Sequence, residues 1–336
     1  MAKVNVLFTG GSFNQTTQLW QIAQALPRDR FDVWFTPGYA DGAVGLLCRA
    51  GLMEWTILGR RLSERGLAFL RDRGALIDPR GRRGGYGLMV ICHDLVVPRN
   101  VRSGARVLLV QEGMTDPGGA GWRLWRRAPF LPRWVAGTAT MGLSGAFDLF
   151  CVASQGYRDL FAGKGVPRDK LVVTGIPNFD DCARYRRNSF PHHGYVLVCS
   201  SDSRETFKRH DRGAFLRRAV DIAAGRPLFF KLHPNEKVER ARREIHALVP
   251  GAPVHATGSA EEMVANCEVL VCEYSTLAYV GLALGKEVHS WFDLDHLRRL
   301  LPEQHGEAAR RIARVACQLV GVEPSAAPPR AREQVA

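Results

Sequence analysis

The chain has 336 residues, 46% hydrophobic and 24% charged, which suits a globular protein with more than one core. No apolar run reaches the roughly 18 residues of a membrane-spanning helix. The net charge of +13 calls for an anionic partner (nucleic acid, a bilayer surface or a phosphorylated substrate), although 39 of the 46 basic residues are Arg, a skew that coding bias also produces.

In chain order, Val4–Phe8 is an apolar run closed by Thr9-Gly10-Gly11-Ser12. A start of Met1-Ala2-Lys3 running directly into a strand is unlike a signal peptide, so a cytoplasmic protein is expected. An amphipathic stretch follows over Gln15–Leu26, with Leu19, Ile22, Ala23 and Leu26 on one face. Phe31–Phe35 reads as a strand and Asp41–Ala50 as a helix. Further strands are expected at Trp55–Leu58, Leu88–Cys92, Val107–Val110, Leu149–Ala153 and Leu171–Thr174. Short apolar strands without alternation, separated by helices, mean a parallel sheet covered on both faces.

The rhythm breaks over Tyr185–Gly194, a polar Pro/Gly-containing stretch read as a linker. It restarts with strands at Tyr195–Cys199, Pro227–Lys231, Glu268–Cys272 and Lys286–Ser290. Helices are expected at Arg212–Ala224, Glu236–Leu248, from Ser275, and over Glu307–Val320. The fold class is therefore α/β, with two doubly wound, Rossmann-like parallel-sheet domains, 1–185 and 194–322, facing a cleft, and a disordered tail over 323–336. Ligands of open α/β sheets bind outside the carboxyl ends of the strands.

The eight cysteines are scattered without a C-x-x-C pair and mostly end apolar runs, the behaviour of small buried hydrophobes. Neither a metal nor a bound cofactor is expected.

Two segments carry the chemistry. Lys231-Leu232-His233-Pro234-Asn235-Glu236 ends a strand and is read as the mouth of a helix, whose free first-turn amides, with Lys231 and His233, would hold an anion. Glu273-Tyr274-Ser275-Thr276 sits at a second strand-to-helix turn, where Ser275 or Thr276 can cap the helix and present hydroxyls to a diphosphate. A third loop, Ser200-Ser201-Asp202-Ser203-Arg204, reads equally as a phosphate contact or as solvated chain.

These residues carry a resemblance. Lys-x-His-Pro-Asn-Glu at 231–236, Ser-Thr-x-x-Tyr-x-Gly-Leu-Ala-Leu-Gly-Lys at 275–286, and Lys170–Asp180 with its Thr-Gly-x-Pro-x-Phe-Asp resemble the GT-B transferases of bacterial cell envelopes. The CDP-glycerol glycerophosphotransferase and capsule polysaccharide type is the most similar, and the UDP-N-acetylglucosamine 2-epimerases share the layout. The resemblance covers about residues 145–290. It implies a nucleotide-activated donor (CDP-, UDP-, CMP- or GDP-linked) bound by Lys231, His233, Pro234, Glu273, Ser275, Thr276, Ser200, Ser201 and Arg204. It also implies a glycosyl or polyol-phosphate group moved to a cell-surface glycan or lipid-linked acceptor. A carboxylate for ribose hydroxyls is usual midway along the following helix, and Val280 stands there instead.

On the acceptor side the resemblance places the loop of Gly10, Gly11, Asn14 and Gln15, which lacks a G-x-G-x-x-G fingerprint. A transfer to a hydroxyl needs a general base, and Glu112, Asp116, His93 and Asp94 stand at strand ends. Glu112 leads, because a Gly-rich loop follows it. The segment Trp122–Trp134 interleaves Arg with aromatics and reads either as a peripheral membrane contact on the inner face of the plasma membrane or as a solvated helix over core tryptophans. Nucleic acid is not expected as a partner. The rival readings are a UDP-sugar 2-epimerase and a non-enzymatic basic membrane- or nucleic-acid-binding protein.

Overall fold

The computed structural model describes residues 2–51, 59–115, 118, 120–128, 130–201 and 211–323. The expected strand Trp55–Leu58, Asp116, Arg204 and the tail beyond 323 lie outside the described residues. The strands are β1 Val4–Gly10, β2 Phe31–Pro37, β3 Leu88–Ile91, β4 Arg106–Val110, β5 Leu149–Val152, β6 Leu171–Val173, β7 Val196–Cys199, β8 Leu228–Lys231, β9 Val254–His255, β10 Val269–Cys272 and β11 Glu287–His289. The helices are α1 Phe13–Ala25, α2 Gly42–Arg49, α3 Arg60–Asp72, α4 Arg99–Arg102, α5 Ala120–Arg127, α6 Gln155–Lys164, α7 Arg212–Ala223, α8 Val238–Leu248, α9 Ala260–Asn266, α10 Leu277–Ala283, α11 Leu294–Leu300 and α12 Ala308–Leu319.

Two parallel sheets result. The first has six strands in the order β2-β1-β3-β4-β5-β6, the second five in the order β11-β10-β7-β8-β9. Consecutive Val6, Leu7 and Phe8 are all fully buried, as are Val196, Leu197 and Val198, so both faces of each sheet are covered, as the unalternating runs require. In each sheet the connections reverse direction once, between β1 and β3 and between β7 and β10. Such switch points open a crevice at the carboxyl ends of the strands.

The chain divides into two compact units, Met1–Asn178 with His305–Ala336, and Phe179–Gln304. This differs from the sequence reading at two places. The stretch 185–194, read as a linker, packs within the second unit: Asn188 donates to Asn266 Oδ1 at 2.9 Å and Asn266 donates to the Phe190 carbonyl at 2.9 Å. The last helix belongs to the first unit, where Ile312, Ala313 and Ala316 of α12 join Leu19, Ile22 and Val6 in one core. Amphipathicity tells which face of a helix is buried, not which sheet buries it.

Candidate functional site

In the second unit the switch point carries hydroxyls and carboxylates. Ser201, just after β7, donates to Glu273 Oε2, just after β10, at 2.8 Å, tying the two strand ends together. Ser290, after β11, donates to the Glu273 carbonyl at 2.9 Å. Ser275 Oγ accepts from the Leu277 amide at 3.3 Å, and Thr276 is the N-cap of α10 without a side-chain cap bond. The helix then lies unusually close to the sheet. A Cβ on Gly281 would come within 2.8 Å of Val288 Cγ2 and 2.9 Å of Leu270 Cδ2, so a larger residue would force these side chains to shift. Gly285, at φ +71, ends the helix.

The Lys-x-His-Pro segment is built differently from the expectation. No helix starts at Pro234; residues 233–236 form a turn in which the Glu236 amide donates to the His233 carbonyl at 3.0 Å, and α8 begins only at Val238. Proline suits the second position of such a turn as well as a helix start, and sequence does not separate the two. Lys231 is 5% exposed, and its ammonium donates to the carbonyls of Leu232 at 3.2 Å and Ala256 at 3.4 Å. Burial lowers its pKa. Two of the three donors of its ammonium are thus taken by carbonyls of its own unit.

His233 does face useful chemistry. Its amide donates to Ser200 Oγ at 3.3 Å and to Glu236 Oε2 at 3.1 Å, and its Nδ1 accepts from the Asn235 amide at 3.2 Å. With Nδ1 accepting, the neutral ring carries its proton on Nε2, a donor. Ser200 also donates to Glu236, whose other oxygen lies 3.4 Å from Arg212 Nη1. Glu236 was not singled out from sequence; its place at the end of a His-Pro-Asn-Glu turn was the available signal. Tyr274 was also missed. It is 56% exposed, edge-on to Trp291 at 5.7 Å and Phe292 at 4.8 Å, an aromatic step beside Ser275.

In the first unit, Ser12 caps α1 and donates to Glu112 Oε1 at 3.0 Å, and Gln15 donates to Glu112 Oε2 at 2.6 Å. Gln15 Oε1 in turn accepts from the Gly11 amide at 2.7 Å. The carboxylate after β4 thus reaches over β3 to the start of α1. Burial raises its pKa, opposed by the hydrogen bonds from Gln15, Ser12 and Asn14. Asn14 is held from behind, its Oδ1 accepting from Asn178 at 2.8 Å, so the Thr-Gly-x-Pro-Asn segment braces this loop.

The other base candidates are placed differently. Asp94 is fully buried and accepts from Arg133 at 3.0 Å, the Gly142 amide at 3.2 Å and the Ser144 amide at 3.0 Å. Three donors, one of them a guanidinium, thus hold its carboxylate. His93 is 8% exposed, its Nδ1 has no partner among the described residues, and burial lowers its pKa to about 4. All eight cysteines are free and seven are buried. Among the described residues no helix is long and apolar enough to cross a membrane.

No protein-family model matches the sequence, and no curated protein matches it. Solved structures do. The chain is similar to S. aureus MnaA in a co-structure with UDP, at 9% identity over 97% of this chain and 99% of that one, with a TM-score of 0.56. It is similar to UDP-GlcNAc 2-epimerase from Neisseria meningitidis bound to UDP-GlcNAc, at 9% identity over 94% and 99%, with a TM-score of 0.51. It is also similar to the wall teichoic acid polymerase TagF with CDPG, at 7% identity over 95% and 88%, with a TM-score of 0.50. The chain has the fold of two Rossmann-like units, of GT-B type, that UDP-GlcNAc 2-epimerases and TagF share.

Proposed function

We propose that this chain is a metal-independent transferase that moves a glycosyl or polyol-phosphate group from a nucleotide-activated donor to a hydroxyl of a glycan or lipid-linked acceptor. The Glu112 cluster carries the reading. Among the described candidates it presents one carboxylate gripped only by neutral donors, while Asp94 is neutralised by Arg133. A single poised base suits deprotonation of an acceptor hydroxyl. Epimerisation of a UDP-sugar calls for more acidic groups in this unit.

In this mechanism the acceptor hydroxyl gives its proton to Glu112 as its oxygen bonds to the transferred group. The donor bond breaks with its electron pair going to the nucleotide phosphate. Charge growing there is met by the Ser275 and Thr276 hydroxyls, the first amides of α10 and the His233 Nε2–H. The Tyr274–Phe292 step offers a face for the donor's ring.

The test is nucleotide release from a panel of CDP-, UDP-, CMP- and GDP-linked donors, with and without acceptor glycans, in EDTA. Acceptor-dependent release that EDTA leaves intact is expected. Glu112→Gln should lower kcat by about 10²–10⁴-fold with nucleotide affinity retained. His233→Ala and Ser275→Ala/Thr276→Ala should lose that affinity in calorimetry. A base must be ionised, so with a raised pKa the wild-type kcat/KM should fall, on acidification, at a pH above the ordinary carboxylate range. Donor epimerised without any acceptor product would replace this reading by the epimerase one.

A further inference from the structure

Three neutral side chains at the start of α1 hold the Glu112 carboxylate, and each is turned toward it by a second hydrogen bond at its own oxygen. Ser12 Oγ accepts from the Gln15 backbone amide at 3.1 Å, which leaves its proton for Glu112 Oε1. Gln15 Oε1 accepts from the Gly11 backbone amide at 2.7 Å, which leaves its Nε2 for Glu112 Oε2. A side-chain amide has donors on one side and an acceptor on the other, so filling its oxygen fixes which way it faces. The third donor is Asn14. Its oxygen is filled from outside the loop, by Asn178, 164 residues away in the chain, whose Nδ2 donates to Asn14 Oδ1 at 2.8 Å.

Asn178 is itself held in one orientation. Its Nδ2 also donates to the Asn14 carbonyl at 3.0 Å and lies 3.3 Å from Thr17 Oγ1, and its Oδ1 accepts from Gln21 Nε2 at 2.7 Å. Turned over, the Asn178 amide would set its oxygen against the Asn14 carbonyl and its nitrogen against the Gln21 nitrogen, two like contacts in place of two hydrogen bonds. Asn14, Thr17 and Gln21 lie along one face of α1, on successive turns, so a single side chain meets all three.

We infer that Asn178 is a positioning residue for Glu112: by occupying Asn14 Oδ1 it turns the Asn14 Nδ2 group toward the carboxylate. Its catalytic meaning rests on Glu112 being the base of the proposed reaction, whereas the orientation of Asn14 does not. Donors aimed at a carboxylate favour its ionised form, the one able to take a proton. Among the described residues no charged group shares in setting the Glu112 pKa; burial raises it, and the bonds from Gln15, Ser12 and Asn14 lower it. On the β3 side the titratable neighbour is Cys92, whose thiol burial keeps neutral.

The test is the titration of Glu112 itself, followed by NMR in protein isotope-labelled at its Glu carboxyl carbons, with the Glu112 signal identified by its absence from Glu112→Gln. Asn178→Ala should raise the midpoint by about 0.5–1 pH unit, the worth of one neutral hydrogen bond. Asn178→Asp should raise it further, because a carboxylate there only accepts, so the Asn14 amide turns over to meet it, and a negative charge is added. Asn14→Ala, at an exposed position where folding is not at issue, should raise it at least as much as Asn178→Ala. The double variant Asn14→Ala/Asn178→Ala should shift no further than Asn14→Ala alone. An unchanged midpoint in Asn178→Ala and Asn178→Asp, even with a lowered Tm, means bracing alone and overturns the inference. So does an Asn178→Ala shift that persists undiminished in the Asn14→Ala background. Acceptor-dependent nucleotide release answers separately for the base: if Glu112 is that base, the acid limb of kcat/KM moves with these midpoints. Release untouched by Glu112→Gln, with the midpoints still shifting, removes the transferase reading and leaves the orientation of Asn14 by Asn178 standing.

Discussion

His93 and Glu112, past the ends of neighbouring strands, are pushed in opposite directions by the same cause. Burial disfavours charge, so the imidazole pKa falls to about 4 while the carboxyl pKa rises. For His93 the sign is clear. As pH falls through 6.5 the unfolded chain takes up a proton that the folded ring accepts only near pH 4, so stability drains across that window. The loss reaches roughly 3 kcal/mol at its lower end. Glu112, with a raised pKa, acts the other way, its contribution present at low pH and lost as pH rises. His93→Gln should therefore remove a destabilisation that wild type shows in urea titrations between pH 6.5 and 4. Parallel curves for the two proteins in that range would mean the ring is not buried neutral. At this scale sequence offered residue types at strand ends, and it offered too many. Glu112, Asp94 and His93 look alike there, and what separates them is the partner set among the described residues: neutral donors for the first, Arg133 for the second, none on Nδ1 of the third. The sequence likewise does not show that the Lys231 ammonium is held by the carbonyls of Leu232 and Ala256.

Among elements, the strands were the most legible, because consecutive apolar residues leave a parallel strand little alternative. Val4–Phe8 was extended only to Gly10, and Glu268–Cys272 shortened only to Val269–Cys272. Turns were less so, as Pro234 shows. In the Gly-Leu-Ala-Leu-Gly run a glycine at Gly285 suits a helix end, whereas the reason for Gly281 is visible only in space. Its missing Cβ lets α10 lie on β10 and β11 and so sets the height of the Ser275-Thr276 turn. Gly281→Ala should cost about 1–3 kcal/mol by overpacking against Leu270 and Val288. By lifting α10 it should also weaken nucleotide binding. A variant with wild-type Tm and wild-type affinity would show that the helix does not need this contact.

For the whole molecule the net charge of +13 asks where the cations are spent. Three, Arg49, Arg80 and Arg82, border one pocket of the first unit together with Asp41. Others ride on α5, where Arg123, Arg126 and Arg127 are exposed, Leu124 is 51% exposed and the following Phe130 86% exposed, with Trp122 and Trp125 stacked at 5.6 Å. Arg133, farther along the same segment, pairs with Asp94. We propose that this segment rests on an anionic bilayer, which would bring the chain to a lipid-linked acceptor. Each Arg near such a surface contributes about 1 kcal/mol, so three give reversible, salt-sensitive attachment. Co-sedimentation with phosphatidylglycerol vesicles at low salt is expected, reduced by Arg123→Gln/Arg126→Gln/Arg127→Gln and by Phe130→Ser. Wild type left wholly in the supernatant would favour a soluble acceptor.

The assignment of α12 to the first unit has a consequence for biosynthesis. Residues 179–304 are one uninterrupted segment, whereas the first unit draws its core from both ends of the chain. On the ribosome the later unit therefore has all its parts first. The earlier one, Glu112 included, waits with an apolar stripe of α1 uncovered until the last helix leaves the exit tunnel. During that interval Leu19 and Ile22 are a surface that another nascent chain or a chaperone can seize. Loss of α12 would thus strike the unit whose strands are made before residues 179–304.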